Sequence, residues 1–172
     1  LTYKLISYMM CSNNNDDLYF YLTQNDKFKI SDQFMINCIK KSYNELFIYA
    51  YKKIYPTNYI VLIDYIYSKN NTELFSFILN YEKDIKFKYI VDNMLNYDNK
   101  FNIVSLLLNE YFDKLDKNSS FIKLCLINNI EDTVIKHLID SGFKINIDDI
   151  KYCAENENIV LVEHLSKKYN SI

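Results

Sequence analysis

The chain has 172 residues, 49% of them apolar, and a formal net charge of −2. That supply of apolar side chains supports one sizeable core or a short repeat array and excludes intrinsic disorder. A single glycine, Gly142, and a single proline, Pro56, exclude the turn-rich all-β folds that draw on both.

All 20 basic residues are lysine, against 22 acidic ones. Without arginine there is no bidentate fork to read base edges, and a near-neutral chain lacks the basic footprint of a nucleic-acid binder. No nucleic-acid partner is therefore expected. Apolar runs are broken by Lys, Asn or Asp well short of the roughly 20 residues of a membrane span, and no leader peptide is visible. The chain starts at Leu1, without Met and already inside an apolar pattern, as a piece of a longer protein would. Cys11, Cys38, Cys125 and Cys153 lie singly in apolar helical stretches, which suits reduced thiols and a cytoplasmic setting. The abundance of Asn, Ile, Lys, Tyr and Phe follows A/T-rich codons.

In chain order, a first apolar helical stretch, Tyr3–Cys11, precedes LYFYL at Leu18. The arrangement then recurs. Gln33–Lys41 precedes LFIYA at Leu46, Tyr59–Tyr67 precedes LFSFI at Leu74, and Phe87–Leu95 precedes IVSLL at Ile103. Phe121–Asn129 precedes VIKHL at Val134, and Ile150–Asn158 precedes LVEHL at Leu161. The five-residue segments start 28, 28, 29, 31 and 27 residues apart.

Their first positions are Leu18, Leu46, Leu74, Ile103, Val134 and Leu161, and their second are Tyr19, Phe47, Phe75, Val104, Ile135 and Val162. The fifth are Leu22, Ala50, Ile78, Leu107, Leu138 and Leu165. Positions i, i+1 and i+4 share one helical face, so each copy offers one apolar stripe. Polar breaks such as Ser12–Asp16 and Lys69–Asn71 separate the two helices of each pair, and Ser31, Ser119 and Asp148 stand where N-caps of first helices belong. A lone pair cannot bury its stripe, so neighbours must stack. The expected fold is all-α: an α-solenoid of about six helix–turn–helix repeats of 27–31 residues in a single domain, 1–172. Its units run approximately 1–30, 31–57, 58–86, 87–118, 119–146 and 147–172.

The segment IKHLIDSGFKINIDDIKYCAENENIVLVEHLSKKY resembles two successive ankyrin repeats of the divergent kind common in large DNA viruses. Ile135–Gly142 matches a second helix ending in Gly, Asn146–Asp149 the loop into the next first helix, and Ala154–Asn158 the turn between helices. The match is best over about 119–169. The threonine-proline-leucine-histidine tetrad of ordinary ankyrin repeats is absent throughout. Gly142 is matched by Asp26, Ile54, Glu82, Tyr111 and Tyr169, so shortened loops and an irregular stack are expected. The resemblance implies a non-enzymatic viral module that binds a protein partner, in the host cytoplasm.

Catalytic, metal and cofactor residues are all read as none. His137 and His164 share a column, as do Cys125 and Cys153. Packed helices are about 8–10 Å apart, too far for one zinc ion with ~2.3 Å sulfur bonds or for a disulfide. The acidic pairs Asp16/Asp17, Glu131/Asp132 and Asp148/Asp149 fall at helix starts, where carboxylates cap N–H groups. One glycine cannot build a phosphate loop. No small-molecule substrate is implied. Partner-binding residues are unknown; the inter-unit loops Gln24–Ile30, Tyr55–Thr57, Tyr81–Lys86, Lys114–Asn118 and Phe143–Ile147 are the segments to test. The runner-up reading is a viral Bcl-2-like bundle holding a partner helix in a groove, followed by a structural virion component.

Overall fold

The computed structural model describes residues 30–56, 59–83, 85–97 and 100–169, together with Leu22 and Gln24. These residues form helices and connecting loops, and no strand occurs among them. The helices are α1 (Asp32–Lys41), α2 (Asn44–Ile54), α3 (Tyr59–Ser68), α4 (Thr72–Tyr81) and α5 (Phe87–Met94). After them come α6 (Phe101–Glu110), α7 (Phe121–Ile127), α8 (Asp132–Asp140), α9 (Ile147–Glu155) and α10 (Ile159–Tyr169), with a 3-10 turn at Phe112–Lys114. The all-α expectation holds. The first helical pair, Tyr3–Cys11 with LYFYL, lies outside the described residues except for Leu22.

One turn geometry joins α1 to α2, α3 to α4, α7 to α8 and α9 to α10. Ser42, Asn70, Asn129 and Glu157 have φ of 59°, 52°, 53° and 55°. At Ser42 the N–H donates to the Ile39 carbonyl, and the next N–H, of Tyr43, reaches back to the Cys38 carbonyl. The same pair of bonds recurs at Asn70/Asn71, Asn129/Ile130 and Glu157/Asn158. This is the Schellman arrangement, which satisfies the last carbonyls of a helix by turning one residue left-handed. Glycine usually fills that position; Ser42 and Glu157 adopt it against a steric cost of about 1–2 kcal/mol each, and Asn70 and Asn129 against less. The tight reversal lets two short helices pack as a hairpin with almost no connecting chain.

The chain divides into two compact units, 1–77 and 78–172. In the first, α1 packs on both α2 and α3. The Asn71 side chain donates to Asn44 Oδ1 (2.8 Å), while Asn44 Nδ2 donates to Glu73. Phe77 meets the Phe47 and Tyr51 rings edge-on, at 6.5 and 5.6 Å between centroids. In the second, α7 packs against α5, α8 and α9, and α10 against α8 and α9. Asn158 donates to Asp132 Oδ1 (2.8 Å), repeating the Asn71–Asn44 bridge at the matching position. Asn71 and Asn158 also accept from the N–H groups of Leu74 and Leu161, capping α4 and α10. Asp92 accepts from Ser120 N–H, and Asn128 Oδ1 accepts from Lys100 N–H.

These bridges join residues 26 to 29 apart in sequence. Within each compact unit, hairpins therefore bond to the hairpin one period away.

The apolar columns form the core. All six fifth positions, Leu22, Ala50, Ile78, Leu107, Leu138 and Leu165, are at most 2% exposed. In the first and second columns Val134 and Val162 are half-buried, and the other described members are buried. Ser31 caps α1, with Phe34 N–H donating to its hydroxyl at 3.3 Å. The other two cap assignments need correction. The Ser119 hydroxyl instead donates to the Asp116 carbonyl, and α7 starts after Ser120. Asp148 lies inside α9, which starts three residues earlier than Ile150 because Asp149 accepts from Asn146 N–H (2.8 Å) and sets the cap there.

Candidate interaction surface

The loop Lys114–Asn118 begins at the end of the 3-10 turn, and Phe143–Ile147 carries the chain from α8 into α9. Gly142, at φ +92°, ends α8 with the same left-handed turn as the hairpins: its N–H donates to Ile139 and that of Phe143 to Leu138. The turn points Phe143 inward, 5.8 Å from the Phe112 ring and 5.9 Å from Phe121. His137 stacks on the other side chain of that cluster, 6.3 Å from Phe112.

With Phe143 as anchor, the two loops meet. Lys144 N–H donates to the Lys117 carbonyl (2.7 Å), and Lys117 Nζ donates to Ser141 O (2.6 Å). Lys168 Nζ likewise donates to Ile139 O (2.6 Å). Two ammonium groups thus lie on carbonyls at the negative end of α8, and the Ile139 carbonyl accepts from both Gly142 N–H and Lys168. Outward from this paired edge stand exposed Lys114, Lys117 and Lys144, and Ile147 is 69% exposed. In the first unit, Tyr55 turns left-handed after α2 and is 57% exposed. Thr57 and all of Gln24–Ile30 but Gln24 and Ile30 lie outside the described residues.

The histidines part company. His137 stacks on Phe112, whereas His164 Nε2 lies 3.2 Å from Asp140 Oδ1, which Lys168 also approaches at 3.4 Å. Cys38, Cys125 and Cys153 are buried and unpaired; Cys11 is outside the described residues. Burial pushes the Cys38 thiol up to about 12 and the Cys125 thiol up as well. For Cys153 burial acts first, and the nearby Asp149 and Asp132 carboxylates add to it. Buried protonated thiols are small core side chains, not nucleophiles. Among the described residues no three His, Cys, Asp or Glu side chains group as metal ligands. No described helix is long and apolar enough to cross a membrane.

The acidic pairs sit at helix starts. Asp132 opens α8 and holds Asn158, and Asp149 caps α9; Asp16/Asp17 lie outside the described residues. Asp149 is only 1% exposed, and its Oδ1 has no hydrogen-bond partner. Burial raises its pKa, Asp148 adds to that, and the Asn146 N–H and Lys123 pull the other way.

Sequence reasoning missed a cleft of about 450 Å³ between the α7–α8 and α9–α10 turns. Leu126, Ile130, Ile135 and Cys153 form its floor, and polar side chains form its walls. Its signal was the recurring Asn-rich turn, Asn128–Ile130 and Asn156–Asn158. No family model, curated protein or solved structure matches the chain.

Proposed function

We propose that the chain is a non-enzymatic protein–protein interaction module, viral in origin and acting in the host cytoplasm. In this reading it is a stack of about six ankyrin-like helix–turn–helix units. It binds a protein partner through its inter-unit loops and the concave face beside them. Support for stacking comes from the bridges that join residues 26 to 29 apart, because a solenoid unit meets only its neighbours.

The observation that carries the binding role is the paired edge of the second unit. Lys117 and Lys144 are locked by a backbone hydrogen bond, Lys117 is tied further to the Ser141 carbonyl, and the Lys144 side chain and Ile147 face water. A rigid loop that exposes apolar and charged groups loses little conformational freedom on docking.

The test is partner recovery with the intact chain and with Gln24–Ile30, Tyr55–Thr57, Tyr81–Lys86, Lys114–Asn118 and Phe143–Ile147 scrambled together. Circular dichroism verifies that helix content survives. Loss of the partner supports the reading; undiminished recovery from a folded, scrambled chain defeats it.

A further inference from the structure

The cleft between the α7–α8 and α9–α10 turns lies at the opposite end of those helices from the paired loops, and the function proposed above does not use it. Its lining includes the carboxylates Glu131 and Asp132 and no lysine or histidine, in a chain where lysines nearly equal acids. Glu155 and Glu157 stand exposed on the two residues that flank Asn156 in its wall.

The acceptors are only partly used. Asp132 gives one oxygen to Asn158, and Glu131 meets only the Thr133 hydroxyl at 3.4 Å, a weak contact. Asn156 donates its amide N–H to the Tyr152 carbonyl (2.8 Å). Tyr152 supplies a half-buried aromatic wall. Beneath lies the apolar floor.

We propose that this cleft receives an arginine side chain from a basic segment of a partner protein. The aliphatic stem lies on Ile130 and Ile135, the guanidinium reaches Glu131 and the open oxygen of Asp132, and Tyr152 offers a ring to stack on. A guanidinium is planar, weakly hydrated and suited to several spread acceptors plus an aromatic face. An anionic ligand would meet the Glu131 and Asp132 carboxylates in the lining, with Glu155 and Glu157 nearby in sequence. An apolar one would strip water from Glu131 and Asp132 without replacing it. The chain contains no arginine of its own, so the occupant comes from elsewhere.

Titration of the 15N-labelled full chain with a blocked Gly-Arg-Arg-Gly peptide tests this. Amide shifts are expected to concentrate at 129–133 and 152–158, and binding is expected to weaken as salt rises. The same peptide with citrulline, an uncharged isostere, is expected to leave those amides in place. The variant carrying Glu131→Gln and Glu157→Gln is expected to bind at least fivefold more weakly with an unchanged spectrum elsewhere. No shifts, shifts centred away from the cleft, equal binding of the citrulline peptide, or undiminished affinity of the double variant would each overturn the proposal. The loop-scrambled chain keeps this cleft, so failure here and failure of the loop reading give different results.

Discussion

Helix α7 buries Phe121, Ile122, Leu124, Cys125 and Leu126, whereas α9, one hairpin later, buries only Asp149 and Cys153. The two helices run in register: Cys125 matches Cys153, and Phe121, fully buried, matches Asp149. An aromatic core position has become a carboxyl with one unpartnered oxygen. The difference teaches that a helical period can be kept while its cohesion varies from copy to copy. Each site solves local satisfaction in its own way: α7 by packing, α9 by its cap.

The largest break in this comparison is Phe121→Ala, which removes the ring against Phe143 and should cost about 3–5 kcal/mol in urea unfolding. Tyr152→Ala, on the half-buried face of α9, should cost no more than about 1 kcal/mol. Equal losses would mean that α7 and α9 do not differ in cohesion.

Next in size, Glu157→Gly relieves a left-handed residue and should stabilise the chain by about 1 kcal/mol, raising the thermal midpoint. Asn129→Gly should gain less, because Asn tolerates that conformation better than Glu. A loss of stability at both would contradict the turn geometry.

A smaller effect sharpens the contrast between Phe121 and Asp149. The folded state raises the Asp149 pKa, so it favours the protonated form. Its penalty is absent below the unfolded-state value and grows as pH rises through the folded one. Asp149→Asn keeps an acceptor for Asn146 N–H, so its stability relative to the parent should improve between acid and neutral pH. A pH-independent difference between the two would show that ionisation of Asp149 is not what weakens α9. The smallest effect is in hydrogen exchange: amides of α9 should exchange faster than those of α7.

The period of the chain was legible because it lives in apolar spacing. The column ending in Leu22, Ala50, Ile78, Leu107, Leu138 and Leu165 is buried throughout, and a stripe of that kind needs only helix geometry to be read. Cap positions were less legible. Ser119 has the right chemistry but stands one residue before the cap position, which Ser120 holds, and its hydroxyl donates to the Asp116 carbonyl; adjacent serines leave that one-residue shift unread. Hairpin turns were legible as positions, at Lys69–Asn71 and Ala154–Asn158, but their left-handed geometry was not, because Ser42, Asn70, Asn129 and Glu157 take a conformation usually marked by glycine. The loop pairing escaped too: Lys117 and Lys144 meet through backbone atoms, which leave no trace in side-chain type. The cleft belongs to two hairpins at once, and only their docking creates it.

The hydrogen-bonded bridges between hairpins close over fewer than thirty residues. Within each compact unit, a nascent chain need not hold sticky segments open while a distant segment is synthesised, since a new hairpin finds the one bridged to it already outside the ribosome. Loop-closure entropy stays small at every step. Assembly within each unit is therefore free to proceed as translation does, from one end.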